Sequence, residues 1–286
     1  MSISPTDLIT NADGSIYHLN LRPDDISDTI ITVGDPERVE KISKYFDSVE
    51  VKISKREFVT HTGYLGKKRL SVISSGIGTD NIEILMNELD ALANIDLATR
   101  TPFNEHKSLN IIRLGTSGSL QKEISLESIV VSKLGIGFDA LGYFYTSQNN
   151  SITESIKKYF ALDFMPYANA GSESLYNLFM EDSPVDWFEG NTVTCPGFYA
   201  PQGRVLRYSP KVENLLENFN SFRHDNLSLT NLEMETAGYY LMGKVLGHEV
   251  LSISAILASR MTNEFAKNPE KSVDNLIKLA LEKLSK

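Results

Sequence analysis

Two glutamates, Glu233 and Glu235, stand one residue apart in the stretch NLEMETAGYY, residues 231–240. Methionine, alanine and tyrosine surround them, and these residues are typical of a protein core. A carboxylate is rarely buried without a partner, so two interpretations are open. Either both glutamates point into solvent, or the chain places them in a polar site where their oxygens accept hydrogen bonds.

Two arginines lie close to glycines that follow predicted strands. Arg38 comes four residues after Gly34, so it can reach back toward that glycine from the first turn of a helix. Arg113 lies within the apolar run IIRLG, just before Gly115, where an unpaired charge would be costly. Either a bound phosphate, which matches guanidinium geometry, or a carboxylate would neutralise it. Thr116 adds a hydroxyl and a backbone donor nearby.

Glycine turns follow three of the predicted strands, with the sequences GDPER (34–38), GIGTDN (76–81) and GTSGS (115–119). Glycine lets the backbone come close to a ligand, and successive N–H groups can surround an anion. In open α/β sheets, ligands bind at the carboxyl ends of the strands. The turns therefore predict an anion site, although glycine after a strand is also common in ordinary turns.

The segment TCPGFYAPQGRVLRY, residues 194–208, combines an aromatic ring, an amide and a guanidinium. Phe198 is followed by Gln202 and Arg204. An aromatic face can stack on a planar heterocycle, and an amide beside a guanidinium supplies the acceptor and donors that match an imide edge. The alternative is an ordinary polar loop.

Strands and helices alternate along the chain and must position these residues. Short β-branched or apolar runs predict strands at 29–33, 70–75, 109–114, 128–134, 191–195 and 251–257. Helices are predicted to begin at Pro36 and to span 79–95, where Asp80 and Glu83 form a capping box. The amphipathic residues 272–286 predict a helix that docks on the sheet. The alternation predicts a layered α/β domain.

The composition is that of an ordinary globular protein. Of 286 residues, 41% are apolar and 23% are charged. The net charge of −9 argues against binding nucleic acid or an anionic membrane through bulk charge, but allows a small anion in a local basic pocket. The single cysteine, Cys195, excludes an internal disulfide and fits a reducing compartment. Without a signal-peptide pattern or an apolar run of about 18 residues, we expect a cytoplasmic protein.

Taken together, the motifs resemble the purine and uridine phosphorylase family, most closely its uridine phosphorylase branch. Matching stretches occur in order over residues 18–260: GDPERV (34–39), SKREF (54–58), GIG (76–78), RLGTSGSL (113–120), FYAPQGR (198–204), EMETA (233–237) and ASR (258–260). The FYxxQxR pattern marks the uridine branch. The resemblance implies one nucleoside phosphorylase domain, residues 1–286, with a three-layer α/β/α fold around a central mixed β-sheet.

The resemblance also implies a reaction and the residues that carry it out. Family members reversibly cleave a nucleoside with orthophosphate to a free base and ribose 1-phosphate, in nucleoside catabolism and pyrimidine salvage. The implied phosphate ligands are Gly34, Arg38, Arg56, Arg113 and Thr116. The implied ribose ligands are His18, Thr116, Met234 and Glu235. The implied base ligands are Ser117, Gly118, Phe198, Gln202 and Arg204. The implied catalytic residues are Arg204, Gln202, Arg113 and Arg260.

In the resembled family each site is completed by a second subunit. His18 and Arg56 would therefore reach into the site of a neighbour, in a homodimer or a trimer of dimers. No catalytic metal or organic cofactor is expected, and Cys195 is interpreted as a small buried residue. A structural K⁺ would lie at the dimer interface near Glu57, although TDNIEI departs from the family's usual stretch and places Asn81 where a serine is common.

Three alternatives remain open from the sequence. A nucleosidase would use water and would not need the basic residues Arg38, Arg56 and Arg113. A purine phosphorylase would carry an acidic residue in the late loop to protonate the base, where this chain has ASRMTNE with Ser259 and Arg260. A non-catalytic nucleoside-binding protein or structural oligomer is the third. The preference among uridine, deoxyuridine and thymidine also stays open.

Two regions have no assigned role in the site. Residues 143–190 are the least periodic part of the chain, so we expect loops and excursions within the same domain. Residues 100–108 are additional to the length typical of bacterial relatives. We expect both regions to reshape the pocket mouth or the assembly surface.

Overall fold

The computed structural model describes residues 2–145, 150–184 and 186–285. In these ranges the helices are α1 (Pro36–Ser43), α2 (Thr79–Asn94), α3 (Leu141–Phe144), α4 (Ser151–Tyr159), α5 (Glu173–Met180), α6 (Leu215–Ser221), α7 (Thr236–Leu246) and α8 (Pro269–Ser285). The strands are β1 (Thr29–Val33), β2 (Ser48–Lys55), β3 (Phe58–Leu65), β4 (Lys68–Ser74), β5 (Ile95–Asp96), β6 (Thr101–Pro102), β7 (Asn110–Ser119), β8 (Ile129–Gly137), β9 (Tyr167–Ala170), β10 (Trp187–Thr194), β11 (Arg223–His224), β12 (Leu227–Ser228), β13 (Asn231–Glu233), β14 (Glu249–Ser259) and β15 (Glu264–Phe265).

A mixed β-sheet forms the centre of the fold. Its order is β15-β14-β8-β10-β13-β7-β1-β4-β3-β2, with β9 beside β8. Strand β7 runs parallel to β1 and β14 but antiparallel to β13. Because β14 pairs with both β7 and β8, the strands β7, β14, β8, β10 and β13 close into a ring. The expectation of a central mixed sheet is confirmed.

Helices cover both faces of this sheet. Neighbouring residues such as Ile30 and Ile31 point to opposite faces, as the strand period requires. The core around Ile31 contains apolar side chains of α1, α5 and α8, whereas the core around Ile30 contains those of α2 and α7. The central strands are therefore buried on both sides, which is the physical reason that they are almost continuously apolar. The three-layer α/β/α arrangement is confirmed.

All six predicted strands exist, with boundaries that differ by up to five residues. The helix at Pro36 begins after Asp35, whose carboxylate accepts from the Glu37 N–H at 3.0 Å. The capping box at the second helix is wrong. Helix α2 begins after Gly78, which has no side chain to cap it, because the glycine turn itself continues to this position with φ of 95°. The C-terminal helix docks as predicted, with Leu276, Ile277 and Leu281 buried.

The expectation of loops in residues 143–190 is wrong for most of that region. It contains α4, β9, α5 and the start of β10, together with the end of α3, while residues 146–149 and 185 lie outside the described ranges. The hairpin of β2 and β3 was not predicted. Residues 100–108 contribute Thr101 and Pro102 to a small antiparallel pair with β5. No helix in the described ranges is both long and apolar enough to cross a membrane.

Candidate active site

The site is built where several strands end in turns. Arg113 lies in the central strand β7, between Thr32 of β1 and Ser252 of β14. Strand β13 runs back along the end of β7, pairing Leu232 with Gly118. This antiparallel return brings the glutamates that follow β13 toward the arginine, although about 120 residues of chain separate them.

Arg113 and the two glutamates form one buried charge cluster. The Nη2 atom of Arg113 lies 3.0 Å from Oε2 of Glu233 and 2.6 Å from Oε2 of Glu235. All three side chains are at least nine-tenths buried. The interpretation in which both glutamates point into solvent is therefore wrong. Of the two partners considered for Arg113, this structure provides the carboxylate.

Glycine at position 115 allows Arg113 to occupy this place. The guanidinium folds back along its own strand, and Nη1 would lie only 1.9 Å from a Cβ atom added at Gly115. Nη1 also donates toward the hydroxyls of Ser252 and Ser254, at 3.4 and 3.2 Å. The spacing of arginine and glycine in RLG therefore has a steric cause, because residues two apart in a strand share one face.

Glu233 organises the start of α7. Its carboxylate accepts from Thr194 Oγ1 at 2.6 Å, from the Glu235 N–H at 2.9 Å and from the Thr236 N–H at 2.9 Å. These N–H groups belong to the helix start, where backbone donors lack partners within the helix. With Arg113 added, Glu233 has little acceptor capacity left, so we assign it to support of the site.

Glu235 retains acceptor capacity and faces the glycine turn. Its Oε1 accepts from the Gly78 N–H at 2.8 Å, and its Oε2 accepts from Arg113. A carboxylate offers about four lone-pair positions, so each oxygen can accept one further hydrogen bond. Burial raises the pKa of Glu235, although Arg113 opposes the shift. Met234, beside it, is partly buried.

Arg38 is a second arginine in this region, partly buried and without an ion pair among the described residues. It reaches from the first turn of α1 and donates to the Leu114 carbonyl at 3.2 Å. Burial lowers the pKa of Arg38, with Arg113 contributing in the same direction. A partly buried guanidinium without an ion pair can bind an incoming anion. Gly34 directly follows β1, and the partly buried Thr116 lies two residues after Leu114 in β7.

The segment after β10 forms a second cluster. The guanidinium of Arg204 lies 3.7 Å from the centroid of the Phe198 ring and donates to Gln202 Oε1 at 2.6 Å. Gln202 is 2% exposed, and Arg260 donates to its carbonyl at 3.1 Å. Burial, reinforced by Arg260, lowers the pKa of Arg204 to about 10. The sequence prediction placed these groups together, and the structure brings them into direct contact.

The floor beside this cluster is formed by the end of β7. A Cβ atom at Gly118 would lie 3.4 Å from the Arg260 side chain, so glycine lets that arginine pack against the strand. Ser117 accepts from Asn231 at 3.0 Å and is buried. Cys195, at the end of β10, is fully buried and burial raises its thiol pKa far above the ordinary value, which agrees with its interpretation as a small buried residue.

His18 and Arg56 lie away from these clusters. The His18 ring pairs with Glu88, and exposed Arg56 lies 5.8 Å from the Tyr17 ring. Among the described residues, neither forms a hydrogen bond or an ion pair with Arg38, Arg113 or any residue of the base cluster. Folding nevertheless brings them toward each other, because Tyr17 packs edge-on against His18 at 4.8 Å.

Glu57 and Asn81 meet at the first glycine of the GIG turn. A Cβ atom at Gly76 would lie 2.5 Å from the Asn81 amide and 3.0 Å from Cγ of Glu57. Gly76 also has a positive φ of 73°, so both space and conformation require glycine there. Glu57 is thus close to the site, and the cation expected near it stays a prediction.

A cluster of one aspartate and two histidines, which the sequence did not indicate, lies at the other end of the sheet. Asp90, His106 and His248 place ligand atoms within 4.8 Å of one another, a spacing compatible with a metal. However, Nδ1 of His248 accepts from the Leu109 N–H at 3.2 Å, so the proton of the neutral ring sits on Nε2, which faces Asp90 at 3.3 Å. A protonated nitrogen is not a metal ligand, and we assign this cluster a structural role.

The fold and the two clusters describe an α/β protein with a buried arginine–carboxylate cluster and an aromatic–amide–arginine cluster. The sequence model of the phosphorylase superfamily matches residues 28–285. The chain therefore belongs to the phosphorylase superfamily.

Named relatives carry two base specificities. The chain is 28% identical to a uridine phosphorylase of Thermococcus kodakarensis, covering 91% of this chain and 83% of that one. It is 27% identical to a DeoD-type purine nucleoside phosphorylase of Buchnera aphidicola, covering 94% and 98%. Among solved structures, a Trypanosoma brucei nucleoside phosphorylase, described as showing uridine phosphorylase activity, superposes with a TM-score of 0.86 at 28% identity, covering 98% of this chain and 99% of that one.

The charge cluster predicts the effect of removing its cation. We expect Arg113→Ala to lower the free energy of unfolding by about 3–5 kcal/mol, because both glutamates would stay buried without a cation. Urea unfolding monitored by circular dichroism measures this. Arg38→Ala is the matched control: it removes a partly buried arginine that has no ion pair among the described residues, and should cost much less. Equal stability of Arg113→Ala and the unmodified protein would contradict the structural assignment.

Proposed function

We propose that this chain, as one nucleoside phosphorylase domain, catalyses the reversible phosphorolysis of uridine to uracil and ribose 1-phosphate. The observation that carries the proposal is the buried Gln202 side-chain amide beside Arg204, with Arg260 donating to the Gln202 backbone carbonyl. An imide such as uracil presents two carbonyl acceptors and one N–H donor. The guanidinium supplies donors and the amide supplies both a donor and an acceptor, so together they complement that edge.

The proposed chemistry uses charge rather than a covalent nucleophile. Phosphorolysis passes through a sugar with oxocarbenium character while negative charge develops on the departing base. Arg204 and Gln202 would stabilise that charge at the base oxygens and N3. Arg38 would position the phosphate below C1′, aided by Gly34, Arg113 and Thr116. Glu235 would accept from the ribose 2′ and 3′ hydroxyls through its remaining lone pairs, with Met234 as the apolar wall.

Orthophosphate is the proposed co-substrate, and no organic cofactor is proposed. Both the partly buried Arg38 and the exposed Arg56 lack ion pairs in the described ranges, and a hydrolase that uses water gains nothing from such cations. This distinguishes the proposal from a nucleosidase. We also propose a structural monovalent cation near Glu57, supported by the packing of that residue against the GIG turn.

One prediction of the proposed function concerns phosphate. We expect Arg38→Ala to raise the phosphate KM by about 10- to 100-fold, because a charge-assisted hydrogen bond contributes about 1.5–3 kcal/mol. Uracil release at saturating uridine and varied phosphate measures the effect. Lys41→Ala is the control, since Lys41 lies in the same helix and pairs with Glu270 on the surface. Uracil release that proceeds equally well without phosphate would show a nucleosidase instead.

The second prediction concerns the base. We expect kcat/KM for uridine to exceed that for inosine by at least about 100-fold, because a purine would leave buried polar groups of the pocket unpaired. Gln202→Ala should lose most uridine activity and keep the phosphate KM. A nucleoside panel followed by chromatography of the free bases tests both. Equal kcat/KM for inosine and uridine would favour a purine phosphorylase.

We further propose a homodimer, alone or within a trimer of dimers, in which His18 and Arg56 complete the site of the second copy. Two observations support it. Both residues lie beside Tyr17 and away from the clusters of their own chain. In addition, the positive charges of Arg38 and Arg113 balance the negative charges of Glu233 and Glu235. A phosphate dianion therefore needs a further cation, which Arg56 of the second copy would supply. A twofold axis provides this contact to both sites.

Complementation tests the shared site. At phosphate concentrations well below the wild-type KM, Arg56→Ala and Arg38→Ala proteins should each be nearly inactive, and mixing them under conditions of subunit exchange should restore activity. In a mixed dimer one site carries both changes and the other carries neither, so each mixed dimer should reach about half of the wild-type activity. Proven exchange without recovery, or a fully active monomer in light scattering, would contradict the proposal.

A further inference from the structure

Glu88 of α2 binds the segment that carries His18. Its Oε1 lies 2.9 Å from the His18 N–H and 2.6 Å from the ring Nδ1, and its Oε2 lies 2.8 Å from the Leu19 N–H. The Glu88 side chain is 13% exposed and that of His18 is 26% exposed. One carboxylate therefore fixes both the backbone and the ring of this segment.

These contacts determine which ring nitrogen of His18 carries the proton. An ionised carboxylate only accepts hydrogen bonds, so Nδ1 must donate and must hold the proton. The lone pair of the neutral ring is then on Nε2, at the other side of the imidazole. At metal-bound histidines, a carboxylate that accepts from the other ring nitrogen fixes the ring orientation and the tautomer in the same way. The partly exposed ring consequently presents an acceptor to whatever lies outside its own chain.

Helix α2, which holds His18 through Glu88, begins beside Glu235, the proposed ribose ligand. The N–H of Gly78, which precedes α2, binds Glu235, and Glu88 follows ten residues later, about 15 Å along the helix. Between them Ile82, Leu85 and Met86 are buried in the core. The same helix therefore fastens the sugar carboxylate of one site and the histidine proposed for the neighbouring site.

We propose that Glu88 is a positioning residue for phosphorolysis: it presents the unprotonated Nε2 of His18 as the acceptor for the 5′ hydroxyl of a nucleoside bound by the second copy. This rests on the proposed function and on the shared site. The hydroxyl must then be the donor. A 5′ phosphate ester has no such proton and would bring negative charge toward Glu88, so the arrangement selects free nucleosides over nucleotides.

A purely structural role is the alternative, because Glu88 also ties down the chain near its start. Asn11 and Lys55 share that task, since both bond to the backbone of Tyr17 and to each other. Glu88→Gln separates the two roles. The amide oxygen can still accept from the backbone of His18 and Leu19, but its NH₂ group would face Nδ1 and shift the ring proton to Nε2.

Kinetics with two substrates tests the proposal. In the unmodified enzyme, kcat/KM for uridine should exceed that for 5′-deoxy-5′-fluorouridine by about tenfold, since fluorine cannot donate to Nε2. In Glu88→Gln, where Nε2 carries the proton and can no longer accept from the hydroxyl, this ratio should fall to about 3 or below. In His18→Ala it should approach about one. A structural role would slow both substrates alike and leave the ratio unchanged, which would overturn the proposal.

The matched control is Glu83→Gln. It makes the same charge change on the same helix, where Glu83 accepts from Asn87 and Tyr145 instead of from His18. Its substrate ratio should equal that of the unmodified enzyme. A reduced ratio in this control would assign the effect to the charge of α2 and refute a specific role of Glu88.

Nitrogen NMR of ¹⁵N-histidine-labelled enzyme reads the tautomer without any substrate. At pH 8 the His18 signal should show a protonated Nδ1 and an unprotonated Nε2, and Glu88→Gln should invert the pattern. A protonated Nε2 in the unmodified enzyme would overturn the proposal. If uridine is not cleaved at all, the proposed function fails together with the substrate part of this inference, whereas a correct tautomer with an unchanged substrate ratio refutes only the role of Glu88.

Discussion

The fold around the site depends on one buried guanidinium. Arg113 lies in the middle of the central strand, where a charge without a partner would cost several kcal/mol. It is stabilised only because β13 returns along β7 and places two carboxylates against it. Those carboxylates bind the start of α7 and the turn before α2. Three distant parts of the chain, namely β7, the junction of β13 with α7 and the turn before α2, are thus fixed to one side chain.

The two glutamates divide the work because of the elements they occupy. Glu233 is the last residue of a strand, and its carboxylate accepts from the N–H groups at the start of the following helix, which have no partner within that helix. Glu235 is the cap position of that helix but turns its carboxylate away, toward Gly78. A helix start normally takes its cap from its first residue. Here the strand residue does so, which leaves the other carboxylate available to a ligand.

The sequence predicted the residues of the site better than their interactions. The motif RLGTSG indicated that Arg113 needs a partner, but the carboxylates come from about 120 residues later, and no local pattern reveals such a contact. The unpredicted contacts to Ser252 and Ser254 had a weak signal, since alternate serines in LSISA lie on one face of a buried strand. By contrast, Phe198, Gln202 and Arg204 are close in sequence, and local geometry alone brings them together.

The errors in secondary structure have similar causes. The capping box at Asp80 followed a valid local rule, but the turn glycine Gly78 already starts the helix, and its N–H is used by Glu235. The hairpin of β2 and β3 was missed because β2 alternates between exposed and half-buried residues at the sheet edge, so its apolar signal is weak. The described residues between 143 and 190 fold into short elements, and helices this short are stabilised mainly by tertiary packing.

Charge balance links the single chain to the proposed assembly. The positive charges of Arg38 and Arg113 offset the negative charges of Glu233 and Glu235, so this cluster by itself is close to neutral. Burial also lowers the pKa of Arg38. A phosphate dianion adds two negative charges at a place with little water to screen them. The exposed Arg56 has a positive φ of 56°, a conformation that is unfavourable for a residue with a side chain. The two-residue turn of the β2–β3 hairpin accounts for this conformation and leaves the cation exposed, so Arg56 is available to complete the charge of a second copy's site in the assembly proposed above.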